Sequence, residues 1–201
     1  MLGYPPQLKF QGFFRWRSCQ RGARRRAFRE GEPSCVTRGH RRVDLEHLFN
    51  GSALSAVDAK GRLSVPSFIR GVVERRSDAK AIVIGMHEVS PCLNAYDRGY
   101  AKNLFAENER RRLIEEGSDP AAHHARARRT FGLTEEVPYD TSGRIILPAM
   151  MRRRGQIEDL ALFLGVGGTF EIWNPRLALD SGDADLRDLA AWRLEEKGIA
   201  L

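Results

Sequence analysis

The amino-acid sequence predicts an α+β fold, mainly β. Two copies of one strand–turn–strand–helix unit pair into a single pseudo-symmetric domain with flanking helices. The first observation is an internal repeat: DAKGRLSVPSFIR, Asp58 to Arg70, returns as DTSGRIILPAMMR, Asp140 to Arg152, 82 residues further on, with Asp, Gly, Arg, Pro and the final Arg in place. The second is that both copies continue alike, with an apolar strand, a Gly, a loop and a strand ending in an aromatic, Tyr96 in one and Trp173 in the other. The third is physical. A unit of ~45 residues with so few strands cannot easily bury a sheet face alone, so the copies are expected to cover each other.

Each element follows from local pattern. Phe49 to Val57 reads as a short strand, Asp58 to Arg62 as a turn, and Arg62 to Val65 as a second, alternating strand. Pro66 suits the first position of a short helix to about Val73, where its missing N–H is no loss. Ala81 to Met86 and Cys92 to Tyr96 are apolar strands. Tyr100 to Glu116 has helical character and stops at Gly117; Ser118 and Pro120 then start a second helix that reaches Phe131 and stops at Gly132. In the second copy, Glu136 to Tyr139 and Arg144 to Leu147 are strands around the turn Asp140 to Arg144. Pro148 to Arg154 is a helical turn, and Leu160 to Val166 and Phe170 to Trp173 are the last strands. From Pro175 the chain reads as a helix ending in a frayed tail.

The repeated positions have readable chemistry. Asp58 and Asp140 can hydrogen-bond the backbone two residues on and open the turn. Gly61 and Gly143 supply a positive φ where a Cβ would clash. These four are structural turn residues. Arg62 and Arg144 stand just after a tight turn at the start of a strand, and two readings are open for them. One is a salt bridge to the Asp or another nearby acid. The other is contact with a phosphate or base, since Arg offers a rigid fork of donors. Lys60 has no counterpart, because Ser142 takes its place. Lys60, Arg62 and Arg144 together would form a compact patch for an anionic ligand.

With the two copies at this spacing, FEIW at Phe170 to Trp173, and DPAAHHARARRTFG at Asp119 to Gly132 as an inter-repeat helix, the chain resembles the MraZ family of bacterial proteins over about Asn50 to Pro175. That resemblance implies two SpoVT/AbrB-type swapped-hairpin units in a barrel-like domain. It divides the chain into a basic extension (1–44), repeat 1 (47–97), inter-repeat helices (98–132), repeat 2 (133–176) and a C-terminal helix and tail (177–201). It further implies a DNA-binding transcriptional regulator, cytoplasmic and nucleoid-associated, that assembles with itself into a ring. Such a protein binds short direct repeats in double-stranded DNA upstream of the division and cell-wall gene cluster, which includes its own gene, and represses it. By motif match Lys60, Arg62 and Arg144 are the DNA-contact residues; no cofactor, metal or membrane is implied.

Composition bounds the alternatives. Hydrophobic content of 42% and charged content of 29% suit a globular protein rather than a disordered one. No run approaches the ~18 apolar residues of a membrane span. Cys19, Cys35 and Cys92 form no CxxC pair, which argues against a disulfide framework or Cys-rich zinc site and fits a reducing cytoplasm. Adjacent His123 and His124 point to different faces of a helix and make poor co-ligands, His87-Glu88 lacks a HExxH context, and GVGG at Gly165 to Gly168 opens no helix, so an enzyme is disfavoured. The rival of another class is an AbrB-like antitoxin or protein-binding module, which would use the polar segment from Asp180.

The net charge of +7 is unevenly placed: residues 1–44 hold 11 Lys+Arg against 3 Asp+Glu, leaving the remainder at −1. Three readings of that tail stand: a phosphate-binding basic arm, an appendage without function, and an amphipathic targeting peptide. In one version of the second, the native chain starts at a non-Met codon near Val43. Recovery of peptides from Met1 to Arg42 in the native host would exclude it.

Overall fold

The computed structural model describes residues 45–114 and 120–199. The basic extension, the stop at Gly117 and the helix start at Ser118 lie outside the described residues. In chain order the elements are β1 (Ser52–Ala56), β2 (Arg62–Ser64), α1 (Ser67–Arg76), β3 (Ala81–Met86), β4 (Leu93–Asp97), α2 (Ala101–Ile114), α3 (Pro120–Ala127) running into a π-helical turn (Arg128–Gly132), β5 (Thr134–Pro138), β6 (Arg144–Ile146), α4 (Ala149–Arg154), β7 (Leu160–Gly165), β8 (Phe170–Trp173), α5 (Pro175–Leu179) and α6 (Ala184–Glu196).

Strand pairing follows the repeat. The six-stranded antiparallel sheet has the order β1-β7-β8-β4-β3-β5. Each copy's first strand pairs with the third strand of the other: Leu54 opposes Leu162, and Val83 opposes Glu136. At the centre β4 meets β8, with Asn94 opposite Glu171, flanked by Leu93–Ile172 and Ala95–Phe170. The order therefore reads the same from either edge. The two short strands β2 and β6 form a separate ribbon in which Leu63 opposes Ile145, flanked by Arg62–Ile146 and Ser64–Arg144. One pseudo-dyad thus passes through the pairs Asn94–Glu171 and Leu63–Ile145.

The barrel-like closure expected from the sequence is corrected here. β1 and β5 are sheet edges, β2 and β6 pair with each other, and the ribbon meets the β1 segment through a Val57–Leu63 bridge and a bond from the Ser55 hydroxyl to Ser64 O at 2.7 Å. Strands three residues long make too few ladder bonds to close a sheet, so among the described residues the sheet stays open and the ribbon packs across it. Leu63, Ile145, Val65 and Leu147 join Ile84, Ala95 and Phe163 of the sheet in one buried cluster, with Ile69 of α1 and Met151 of α4.

Alternation along the strands gives the sheet a second apolar face. Ala161 and Phe163 point to the ribbon, whereas Leu162 packs with Leu54, Trp173 and the C-terminal helices. The expected frayed tail is instead two helices. Leu186, Ala190 and Leu194 recur every four residues and are buried, and the Asp183 carboxylate accepts the N–H groups of Asp185 and Leu186 at 3.0 and 3.3 Å. Pro66 and Pro148 also differ from expectation. They occupy the cap, with ψ of 145° and 142°, rather than the first helical position, and their carbonyls accept the N–H of Arg70 at 3.1 Å and of Arg152 at 2.9 Å.

A buried ion pair locks the far end of α1. Arg76 donates to the Asp97 carboxylate at 2.9 Å and to Gly168 O at 2.8 Å, above the Phe49 ring at 4.6 Å. Its backbone ties reach His47 and Gly167 as well.

Leu63→Ala tests the dyad core. Leu63 is 2% exposed, so the truncation is expected to cost about 2–5 kcal/mol of unfolding free energy with an unchanged denaturant slope. Urea titration measures it, and a cost below about 1 kcal/mol contradicts a load at this position.

Candidate functional site

The repeated turn has the same hydrogen bonds in both copies. Asp58 Oδ1 accepts the N–H of Lys60 at 2.9 Å and of Arg62 at 2.8 Å, while Oδ2 accepts Arg62 Nε at 2.6 Å. Asp140 Oδ1 accepts the N–H of Ser142 at 2.8 Å and of Arg144 at 3.0 Å, while Oδ2 accepts Arg144 Nε at 2.9 Å. Gly61 and Gly143 have φ of 79° and 74°, the left-handed region that costs glycine least. Their N–H groups donate to the carbonyls of Asp58 and Asp140, both at 2.8 Å. One carboxylate therefore closes each turn and fixes the edge of the arginine that follows it.

The two readings left open for the arginines are compatible. Each makes a salt bridge to its own Asp, yet Arg62 and Arg144 keep side-chain exposures of 49% and 51%. The Asp58 carboxylate takes the Nε edge of Arg62 and leaves about half of that side chain exposed. The period of two then aligns the arginines. Leu63 and Ile145 face the core, so Arg62, Ser64, Arg144 and Ile146 share the outer face of the ribbon. Arg62 and Arg144 line one concavity of about 320 Å³ with Tyr139, Asp140 and Ile146. Lys60 is exposed in its turn but does not line that concavity.

Backbone N–H donation, from Arg62 and from Arg144 respectively, and then the arginine side chains hold the Asp58 and Asp140 carboxyls below the ordinary value of 3.8. Both carboxylates are charged at neutral pH, so each turn sets an anion against a guanidinium.

Sequence reasoning missed two features. Ile146, 59% exposed, stands directly across from Arg62 and next along the outer face from Arg144. And the final Arg of each motif, Arg70 and Arg152, lies against the turn glycine of the other copy. The repeat marks both arginines as shared, but spacing alone does not say which copy they reach.

Groups with catalytic chemistry are placed structurally. Burial pushes the Cys92 thiol far above its ordinary range. His87 Nδ1 accepts the N–H groups of Val89 and Ser90 at 3.2 and 2.8 Å, closing a loop. The glycines of GVGG form the β7–β8 turn, where Val166 N donates to Thr169 O at 3.0 Å. Among the described residues no cluster of His, Cys, Asp and Glu could hold a metal ion, and no helix is long and apolar enough to cross a membrane.

Comparison with known proteins matches residues 130–177 to a family model described as "MraZ protein, putative antitoxin-like". A protein of Rhodospirillum rubrum named "Transcriptional regulator MraZ" is 31% identical over 127 residues, 63% of this chain and 79% of that protein. A protein of the same name from Hydrogenovibrio crunogenus is 31% identical over 145 residues, 72% of this chain and 90% of that protein. A third, from Gluconobacter oxydans, is 27% identical, with 68% and 82% covered.

The turns are expected to be acid-sensitive. A carboxyl whose folded pKa lies below its unfolded value stabilises the fold above the unfolded value, and that contribution is lost as pH falls through the folded value. Stability from Asp58 and Asp140 is therefore complete at neutral pH and drains away below about pH 3.8. Denaturant midpoints between pH 6 and pH 3 check it: Asp58→Asn is expected to flatten this fall, and an unaltered pH profile contradicts it.

Proposed function

The chain belongs to the MraZ family, and we propose that it is a transcriptional regulator that binds double-stranded DNA through Lys60, Arg62 and Arg144. The observation that carries the reading is the pair of Asp-anchored arginines on the outer face of one ribbon. A planar guanidinium presents several donors in a fixed plane and suits phosphate oxygens and guanine edges. Anchoring its Nε edge to a carboxylate reduces the rotamer freedom lost on binding. The pseudo-dyad repeats the arrangement, so one protomer offers two similar forks and, in the first copy, Lys60 in addition.

The family membership favours the finer reading that this protein represses the division and cell-wall gene cluster, its own gene included, by binding short direct repeats in the promoter. It acts there as a cytoplasmic, nucleoid-associated ring of copies. The charge distribution agrees with assembly. With residues 45–201 at −1, the body of a single protomer has little long-range attraction for DNA of its own. Several protomers on spaced repeats multiply a modest contact. The surface agrees as well: α2 leaves Phe105, Leu113 and Ile114 between 57% and 73% exposed, apolar side chains that self-association would cover in part.

The antitoxin-like or protein-binding alternative needs a C-terminal segment free to engage a partner. Here α6 is capped and its Leu186, Ala190 and Leu194 are already buried, which favours the regulator.

Arg62→Ala is expected to weaken binding to a promoter duplex by roughly 10- to 100-fold, the range of one charge-assisted hydrogen bond. The salt dependence falls by about one phosphate contact per protomer engaged. Assembly size stays unchanged. Gel-shift titration at several salt concentrations measures it, with gel filtration as control. Undiminished affinity removes Arg62 from the contact.

A further inference from the structure

The motif copies end in the same residue, Arg70 in one and Arg152 in the other, four positions after the shared Pro. Each arginine reaches across the dyad. A Cβ at Gly61 would lie 3.0 Å from Arg152 Cδ and 3.3 Å from its Nη1; a Cβ at Gly143 would lie 2.6 Å from Arg70 Nε and Cζ. The guanidinium stem of each copy thus fills the space that the other copy's turn glycine leaves open.

The surrounding bonds run the same way. Val65 N donates to Gly143 O at 2.9 Å, and Leu147 N donates to Gly61 O at 2.8 Å, so each turn is held at its glycine by the opposite copy's backbone. Arg152 then donates to Ala59 O of the first turn at 3.5 Å and to Ile157 O and Glu158 O of its own copy, both at 3.4 Å. Arg70 donates to Val65 O at 3.2 Å. The clamp is reciprocal but unequal: Arg152 bonds the backbone of the turn it covers, whereas Arg70 touches the opposite turn by packing.

We propose that Arg70 and Arg152 are crosswise positioning residues. Arg152 holds the turn carrying Lys60 and Arg62, and Arg70 holds the turn carrying Arg144. The proposal rests on the reading that those turns contact DNA. It adds that neither turn is set by its own copy alone. The glycine requirement gains a second cause beside the positive φ: a side chain at Gly61 or Gly143 would displace the clamping arginine.

Hydrogen exchange on the full chain tests the crossing without DNA. Arg152→Ala is expected to speed exchange of amides 60–62 roughly tenfold, the worth of about one hydrogen bond, while amides 142–144 stay as they were. Arg70→Ala is expected to do the converse, more weakly. Loosening of the variant's own turn, or of neither turn, overturns the proposal. Should Arg152→Ala fail to fold, Arg152→Lys keeps stem and charge but loses the fork, and the same crosswise pattern, smaller, is required of it.

Promoter-duplex binding then tests the consequence. Arg152→Ala is expected to cost roughly tenfold in affinity alone but less than about twofold in an Arg62→Ala background, since it acts through that side chain. Full additivity overturns the positioning role in favour of an independent contact. If Arg62→Ala itself leaves affinity intact, the DNA reading fails, while the exchange pattern still decides the clamp.

Discussion

The pairing of Leu63 with Ile145 on the pseudo-dyad is the constraint from which the rest of the molecule follows. These residues are 2% and 1% exposed, in strands only three residues long. Such short strands have few hydrogen bonds to define their register, so the burial of this pair sets it. Slippage of either strand by one residue would turn its Leu63 or Ile145 to solvent and drive its Arg62 or Arg144 into the core. Desolvating an arginine and exposing a core aliphatic side chain are both costly, so the register that buries the dyad pair also presents the arginines.

Electrostatics then refines what packing has placed. An exposed salt bridge such as Asp58–Arg62 contributes little to stability. Its value lies in geometry: the same carboxylate accepts two backbone N–H groups and one guanidinium edge, so turn and fork are fixed together. Because the folded body is near neutral, the proposed DNA contact is a local arrangement of donors rather than a broad basic field. The ion pair of Arg76 and Asp97 has a different role, satisfying charge within the core and tying α1 to the sheet centre.

Much of this was legible in the sequence because the repeat is strict where geometry is strict. The turns, the alternation in Arg62 to Ser64 and Arg144 to Ile146, and the apolar strands have local causes, and the structure places them within a residue or two of expectation, save the first strand, which starts at Ser52 rather than Phe49. What was not legible is long-range. Nothing local in Leu160 to Gly165 says that it pairs with β1 of the other copy, or that Arg152 crosses to Gly61. The C-terminal helix was under-read because its apolar residues, Leu186, Ala190 and Leu194, form a narrow stripe within a charged segment. The prolines were placed one position too far into their helices, since a capping Pro and a first-turn Pro share the same φ and differ in ψ.

On the proposed function the ribbon's outer face, not the helical face of the sheet, meets DNA. Photo-crosslinking compares them most directly. An aryl-ketone side chain is placed at position 146, beside both arginines, or at position 192 on α6, where Ile146 and Trp192 are 59% and 53% exposed. Irradiation of each variant on a promoter duplex is expected to join DNA to position 146 and not to position 192. Crosslinks from 192 with none from 146 would contradict it.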